Sequence, residues 1–118
     1  MNEETDRVLL QDCIRGIPGA WDRFVERFSG PLAAICRRSL LRMGRPAGSQ
    51  EVEDALQEVF LEFFAGDMRT LRGFSGRSRA LTYLSTVAIR RVMDLDRKPP
   101  PFLLLPPSPR PGPEDPAW

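Results

Sequence analysis

Residues 49–68 show the clearest helical periodicity in the chain. Their apolar side chains recur at intervals of three and four residues and form a stripe over three turns: Val52, Ala55, Leu56, Val59, Phe60, Phe63 and Phe64. This spacing places them on one face of an amphipathic α-helix that packs against a core. Ser49 is the predicted N-cap, and Gly66 is predicted to end the helix.

The remainder of the chain up to residue 98 is also helical in pattern, with no convincing strand period. Further helical segments are predicted at about 6–14, with Thr5 as N-cap, at 20–28, and at about 78–97. Ser29, Gly30 and Pro31 are expected to interrupt or bend the second segment before it continues to Gly44. The stripe of the last helix is predicted to be Leu81, Leu84, Val87 or Ala88, Val92 and Leu95. The predicted fold class is therefore all-α, a compact bundle of four to five helices.

Prolines divide the chain into two parts. Nine of the twelve lie within residues 99–118, and three in succession follow Lys98. We expect residues 1–98 to form the helical domain and residues 99–118 to form a flexible proline-rich tail. The tail reads as a polyproline linker, a disordered segment or a recognition segment, of which a disordered linker is preferred, and its apolar run 102–105 either folds back on the helical body or meets a partner.

Composition argues against catalysis and against a membrane span. The chain has no histidine and a single lysine, Lys98, which removes the commonest general base and any phosphate-binding loop that needs lysine. Cys13 and Cys36 are too few for a zinc site and read as small buried hydrophobes. We expect no enzyme activity, no metal and no cofactor. The longest apolar run is too short for a bilayer, and the acidic N-terminus differs from a signal peptide, so a cytoplasmic location is expected.

Charge is distributed unevenly although the chain nets only +1. Residues 49–68 contain six acids and no base, whereas residues 69–98 contain eight bases and two acids. This asymmetry indicates two partners, one of them polyanionic.

Two sets of residues carry this expectation. Asp54 lies three and four residues from Gln57 and Glu58, so the three share a helical patch that suits arginine forks of a partner; the alternative is an ordinary solvated face. Arginines around Phe74 resemble a single-strand nucleic-acid surface, unless Phe74 simply plugs the core. Tyr83, Thr86 and Arg90 follow one line of the last helix, and the alternative for Arg90 and Arg91 is ordinary solvent-facing charge.

Several separate segments of the chain resemble the conserved motifs of a known protein family. Residues 52–60, VEDALQEVF, resemble the region 2.2 signature of bacterial sigma-70-type factors, above all the small extracytoplasmic-function group. Downstream and in register, residues 71–74 resemble the family's F-R-G-x loop, Tyr83-Leu84 a usual Trp-Leu pair, and residues 88–97 its I-A-R-N-R-A-L-D-x-x-R stretch. Residues 20–24 resemble the entry into region 2.1, so the resemblance covers about residues 6–98.

The resemblance implies a transcription initiation module that binds core RNA polymerase and melts the promoter −10 element. In the family, the acidic helix docks on the clamp helices of the polymerase β′ subunit; the matching positions with their neighbours are Glu53, Asp54, Gln57, Glu58 and Glu62. The loop and last helix hold the non-template strand, with one base flipped into a pocket. The implied DNA-binding positions are Arg72, Phe74, Ser75, Arg77, Arg79, Tyr83, Thr86, Arg90 and Arg91.

Departures from the family pattern concentrate in the DNA-binding half. Tyr83 stands where Trp is usual, Arg90 replaces a common Asn, and Ala80-Leu81 replaces a usual Phe-Arg pair. We therefore expect promoter reading to be weakened while polymerase docking is kept. Twenty residues after Lys98 are too few for region 4, which reads the −35 element, so region 2 alone is expected. The rival hypothesis is an interaction module that binds the clamp or an anti-sigma factor without opening DNA.

Overall fold

The computed structural model describes residues 3–97, and the predicted tail, 99–118, lies outside the described residues. Four α-helices and no strand occur within this range: α1 (Glu3–Ile14), α2 (Ala20–Arg42), α3 (Ser49–Arg72) and α4 (Ala80–Arg97). The all-α prediction is confirmed. Helix α1 begins three residues before the predicted start, so the expected N-cap, Thr5, lies inside the helix. Acidic residues in the first turn favour this earlier start through the helix dipole.

Helix α2 runs without interruption through Pro31, which differs from the predicted break. Proline removes the hydrogen bond to the carbonyl four residues earlier and strains the preceding turn. The Ser29 hydroxyl donates to the Val25 carbonyl within the same stretch. Phe28 and Leu32, on either side, are fully buried, so core packing holds the helix together across the proline.

The buried face of α2 consists of apolar residues spaced by four: Ala20, Phe24, Phe28, Leu32, Cys36 and Leu40. Four residues rotate a helix about 40° beyond a full turn, so this ridge winds around α2 along its length. Each of the other three helices contacts α2. The buried residues of α4 repeat the same spacing: Ala80, Leu84, Ala88 and Val92. Of the two residues predicted for the third position of the α4 stripe, Val87 or Ala88, it is therefore Ala88 that is fully buried.

Helix α3 buries most, but not all, of its predicted stripe. Val52, Ala55, Val59 and Phe63 are buried, Leu56 and Phe60 are half-buried, and Phe64 is 54% exposed. The helical backbone breaks after Phe64: Gly66, Asp67 and Met68 have φ of 60°, 59° and 62°. Left-handed conformation is unfavourable for the two non-glycine residues. The regular helix therefore ends at the predicted position, Gly66, and a separate further turn continues beyond this kink to Arg72.

Aromatic rings join α2 to α3. Phe24 lies 5.0 Å from Phe28, 5.7 Å from Phe63 and 6.0 Å from Phe60, measured between ring centroids. The Phe60 and Phe63 contacts are edge-on, an arrangement that favours the ring quadrupoles. This cluster fixes the face that α3 turns toward the core.

An ion pair joins α1 to α2. Arg27 donates from Nε and Nη2 to the two carboxylate oxygens of Asp6, both at 3.0 Å, and Asp6 is 2% exposed. A buried carboxylate needs such a partner because desolvation is costly.

Burial also raises the pKa of Cys13 and of Cys36 to about 11. Both cysteines are free and buried, which confirms their prediction as small core residues.

Neighbouring phenylalanines of α3 provide a test of this packing. We expect Phe63→Ala to lower the free energy of unfolding by about 3–5 kcal/mol, because it leaves a cavity beside Phe24. Phe64→Ala, on the exposed side, should cost about 1 kcal/mol or less. Urea unfolding followed by circular dichroism measures both. Equal losses for the two variants would contradict the placement of the core.

Candidate functional site

The five residues of α3 that are predicted to bind a polymerase divide into an exposed set and a set with contacts inside the protein. Glu53, Asp54 and Gln57 are exposed on the side away from the core. Asp54 accepts a hydrogen bond of 2.8 Å from the Gln50 amide, one turn earlier. Their separation from the core leaves these three groups available to a partner.

Asp54, Gln57 and Glu58 line one groove of about 570 Å³. Its lining includes Glu51 and Leu40, with Arg45 and Pro46 from the α2–α3 connection and Leu95 from the end of α4. We call this the acidic groove. Three carboxylates on one helix face suit a cationic side chain, above all an arginine fork. The structure thus brings together the three residues that the spacing placed on one patch.

Glu58 and Glu62 make contacts inside the protein. The Arg91 Nη2 donates to Glu58 Oε1 at 2.8 Å, which joins α4 to α3. The Thr70 hydroxyl lies 3.3 Å from Glu62 Oε2 and donates to it. Both glutamates are half-buried. Of the five residues predicted to bind a polymerase, Glu58 therefore also joins α3 to α4, and Glu62 contacts the turn of α3 that follows the kink.

Arg91 is not an ordinary solvent-facing charge. Its side chain is 22% exposed, and its Nε is buried without a hydrogen-bond partner among the described residues. Arg90, by contrast, is exposed, and both arginines line a small cleft with Glu62 and Asp94. The two adjacent arginines, predicted to act together on DNA, thus differ in their exposure to solvent.

Phe74 and Tyr83 form a pair at the base of the loop between α3 and α4. Their ring centroids lie 5.3 Å apart, and both rings are half-buried against the core. The Tyr83 hydroxyl donates to the Thr70 carbonyl at 2.8 Å. This placement favours the alternative in which Phe74 plugs the core, although each ring keeps an accessible part.

Helix α1 holds this loop, which the sequence did not indicate. Arg7 donates from Nη2 to the carbonyls of Gly76 and Ser78, at 3.0 and 3.2 Å, and its guanidinium carbon lies 5.5 Å from the Phe74 ring centroid. Glu3 accepts a 2.8 Å hydrogen bond from the Ala80 N–H, so a residue of α1 caps the first turn of α4. The only local signal is the four-residue spacing of Glu3 and Arg7.

Hydrogen bonding shifts the titration of Glu3. The Arg7 side chain donates to Glu3 at 2.7 Å, and this bond is the main cause that lowers the pKa of the Glu3 carboxyl. Partial desolvation opposes the shift, whereas the Ala80 N–H and the charges of Arg7 and Arg79 add to it. The carboxylate form of Glu3 is therefore the one that holds the loop.

The remaining predicted DNA-binding residues lie at the surface with few firm contacts. Arg72 donates to the carbonyl of Asp67 at 2.8 Å and to its carboxylate at 3.2 Å. Arg79 lies 3.6 Å from Glu3, and its side chain is 74% exposed. The other members of this set are also exposed: Ser75, Arg77 and Thr86. Together with Arg90 they form a basic surface on the loop and on α4.

The described residues were also compared with the requirements of a metal site and of a membrane-spanning helix. Within residues 3–97, no cluster of three or more cysteine and carboxylate side chains is arranged to hold a metal ion. None of the four helices has the length and apolar character that crossing a membrane requires.

Comparison of the chain with family models, with curated proteins and with solved structures gives no match.

The cap that Glu3 provides to α4 leads to a pH-dependent prediction. Because its pKa is lowered in the folded state, the cap should be complete above pH 4.5 and be lost as the pH falls through the lowered value. Glu3→Gln should reduce the hydrogen-exchange protection of the Ala80 amide several-fold at pH 6 and remove its acid-side decline. Exchange followed by nuclear magnetic resonance measures this, and the exposed neighbour variant Glu4→Gln should match the parent protein. An unchanged profile in Glu3→Gln would show that the cap does not form.

Proposed function

We propose that this chain is a sigma region 2-type module that binds core RNA polymerase through α3 and the −10 non-template strand through the loop and α4. The observation that carries the proposal is the exposed set Glu53, Asp54 and Gln57 beside the acidic groove. These residues belong to the same segment, VEDALQEVF, that carries the resemblance. The proposal involves no catalytic step and no cofactor, and it places the protein with the polymerase in the cytoplasm.

The acidic face suits a basic helical partner for electrostatic reasons. Asp54 and Glu53 are exposed, and neither forms an ion pair with another residue of the described range 3–97. Exposed charges of one sign steer an oppositely charged partner and set its orientation. The β′ clamp helices are the partner that the family resemblance names, and an anti-sigma factor would compete for the same face.

The basic surface suits a single strand because charge and rings lie together. Arg77, Arg79 and Arg90 supply exposed guanidinium groups for phosphates, and the accessible parts of Phe74 and Tyr83 supply stacking surface. Arg7 and Glu3 hold the loop backbone that lies between Phe74 and Tyr83. A loop held in one conformation loses less entropy when it binds a ligand.

A second candidate function also has a specific observation in its favour. Arg91, Tyr83 and Arg72 each donate hydrogen bonds within the protein, to Glu58, Thr70 and Asp67. A role for them on DNA requires these bonds to be shared or broken. A module that binds the clamp or an anti-sigma factor without opening DNA requires no such change. The two candidates agree on the acidic face and differ on the basic surface.

Polymerase docking is tested at the two exposed acids. Glu53→Ala with Asp54→Ala should weaken binding to core polymerase by roughly tenfold, because both charges face the partner and neither holds the fold. Fluorescence anisotropy of the labelled chain with core polymerase gives the dissociation constant. Glu4→Ala with Glu26→Ala removes the same charge from exposed positions on α1 and α2 and should bind like the parent. Absence of binding by the parent chain, or an unchanged constant in the first variant, would overturn the docking role.

Strand binding is tested through its salt dependence. With the chain bound to core polymerase, we expect affinity for a forked DNA with an unpaired −10 strand to fall steeply with salt. Arg77→Ala with Arg90→Ala should reduce the slope of log K against log salt by about 1.4, at roughly 0.7 for each lost single-strand phosphate contact. Arg15→Ala with Arg38→Ala, two exposed arginines outside the basic surface, is the control. Equal slopes, with polymerase binding intact, would favour the module that does not open DNA.

A further inference from the structure

An apolar groove lies between α2 and α3 and meets the acidic groove at Gln57. Trp21 and Val25 of α2 and Phe60, Leu61 and Phe64 of α3 line it, together with Gln57, and its volume is about 450 Å³. Leu61 is 59% exposed and Phe64 is 54% exposed. Exposed leucine and phenylalanine side chains beside an aromatic wall make this groove a candidate binding site for an apolar segment.

The side chains of this groove support one another but are not covered from outside by residues 3–97. The Trp21 ring centroid lies 5.2 Å from that of Phe64 and 6.1 Å from that of Phe60. Both phenylalanines sit at the edge of the α3 stripe, beyond the buried Val59 and Phe63. The groove is therefore a preformed apolar surface with rigid aromatic walls.

The groove adjoins the point where the chain leaves α4. Gln57 lines both the apolar groove and the acidic groove. Leu95, two residues before the end of α4, lines the acidic groove with Asp54 and Glu58. The 21 residues that follow Arg97 thus begin beside the acidic groove, with the apolar groove next to it along α3.

The sequence after α4 fits this path in charge, length and apolar character. In the sequence, Lys98 follows Arg97, so two bases precede the prolines. Asp54 and Leu61 are about 10 Å apart along α3, at 1.5 Å per residue. Five residues in polyproline conformation would span about 15 Å, so a stretch of the length of 98–102 exceeds this part of α3. Four apolar residues, 102–105, follow that stretch in the sequence, and prolines on both sides of them reduce the entropy lost on docking.

We propose that residues 102–105, Phe-Leu-Leu-Leu, dock in the apolar groove formed by Trp21, Val25, Phe60, Leu61 and Phe64. The basic residues 97 and 98 run along the acidic groove on the way. The occupant is thus a segment of the same chain. Because this path crosses Gln57, the docked segment covers part of the acidic face.

Trp21 reports directly on this contact. In a Trp118→Phe background, Trp21 is the remaining tryptophan of the chain, and acrylamide quenching of its fluorescence measures its exposure. Leu103→Asp with Leu104→Asp should raise the quenching constant roughly twofold, because charged side chains leave the groove and uncover the indole. Ser108→Asp with Gly112→Asp adds the same charge outside the apolar run and should leave the constant unchanged. Equal quenching in the parent and the leucine variant would overturn the proposal.

The groove side and the origin of the occupant are tested in the same assay. Leu61→Asp should raise Trp21 quenching as the leucine variant does, whereas Leu41→Asp, at a position 60% exposed on α2, should not. Protection of Trp21 should be independent of protein concentration. Loss of protection on dilution would identify a second copy as the occupant and would also overturn the proposal.

Competition between the docked tail and polymerase is a consequence that rests on the proposed function. Its test can fail while the docking of the tail still holds. If the acidic face binds core polymerase, Leu103→Asp with Leu104→Asp should tighten that binding several-fold, because the tail no longer competes at Gln57. Failure of the parent chain to bind polymerase overturns the proposed function, while the Trp21 measurement still decides whether the tail docks. An unchanged dissociation constant for polymerase in a variant whose tail is released would show that the docked segment does not cover the acidic face.

Discussion

The winding apolar ridge of α2 is the constraint on which the other elements depend. Its six buried residues repeat every four positions, so the face they form turns steadily around the helix axis. The other three helices each contact α2. The aromatic cluster around Phe24 fixes the rotation of α3, and thereby directs Glu53, Asp54 and Gln57 to solvent. The placement of the acidic face is thus a consequence of core packing.

Local pattern was sufficient for those parts of the fold that depend on one helix at a time. The period of three and four predicted the burial of Val59 and Phe63, and the same period predicted the outward direction of the acids. It failed at Phe64, because periodicity gives the direction of a face and not the width that neighbouring helices cover. At Pro31, α2 continues where the proline alone favours an interruption, because the residues on either side, Phe28 and Leu32, are buried in the core.

Contacts between helices account for the functional residues that the sequence did not indicate. Spacing within a helix identifies neighbours three and four residues apart, as for Asp54 with Gln57. The bond from the Ala80 N–H to Glu3 spans 77 positions, and that from Arg91 to Glu58 spans 33. Nothing in the local sequence around Glu3 predicts that it caps another helix. The uneven charge of residues 49–98 likewise does not indicate which of its acids and bases pair, as Glu58 and Arg91 do.

The ion pair between Glu58 and Arg91 limits how the two proposed surfaces can act. Its side chains are 39% and 22% exposed, so removal of either partner leaves a partly desolvated charge. A polymerase contact at Glu58 and a phosphate contact at Arg91 would each compete with this bond. Binding that keeps this ion pair intact costs less free energy. The partner contacts then come from Glu53, Asp54 and Gln57 on the acidic face. On the basic surface they come from Arg77, Arg79 and Arg90. The pair then holds α4 rigidly against α3, so that a partner bound at one surface meets the other in a fixed orientation.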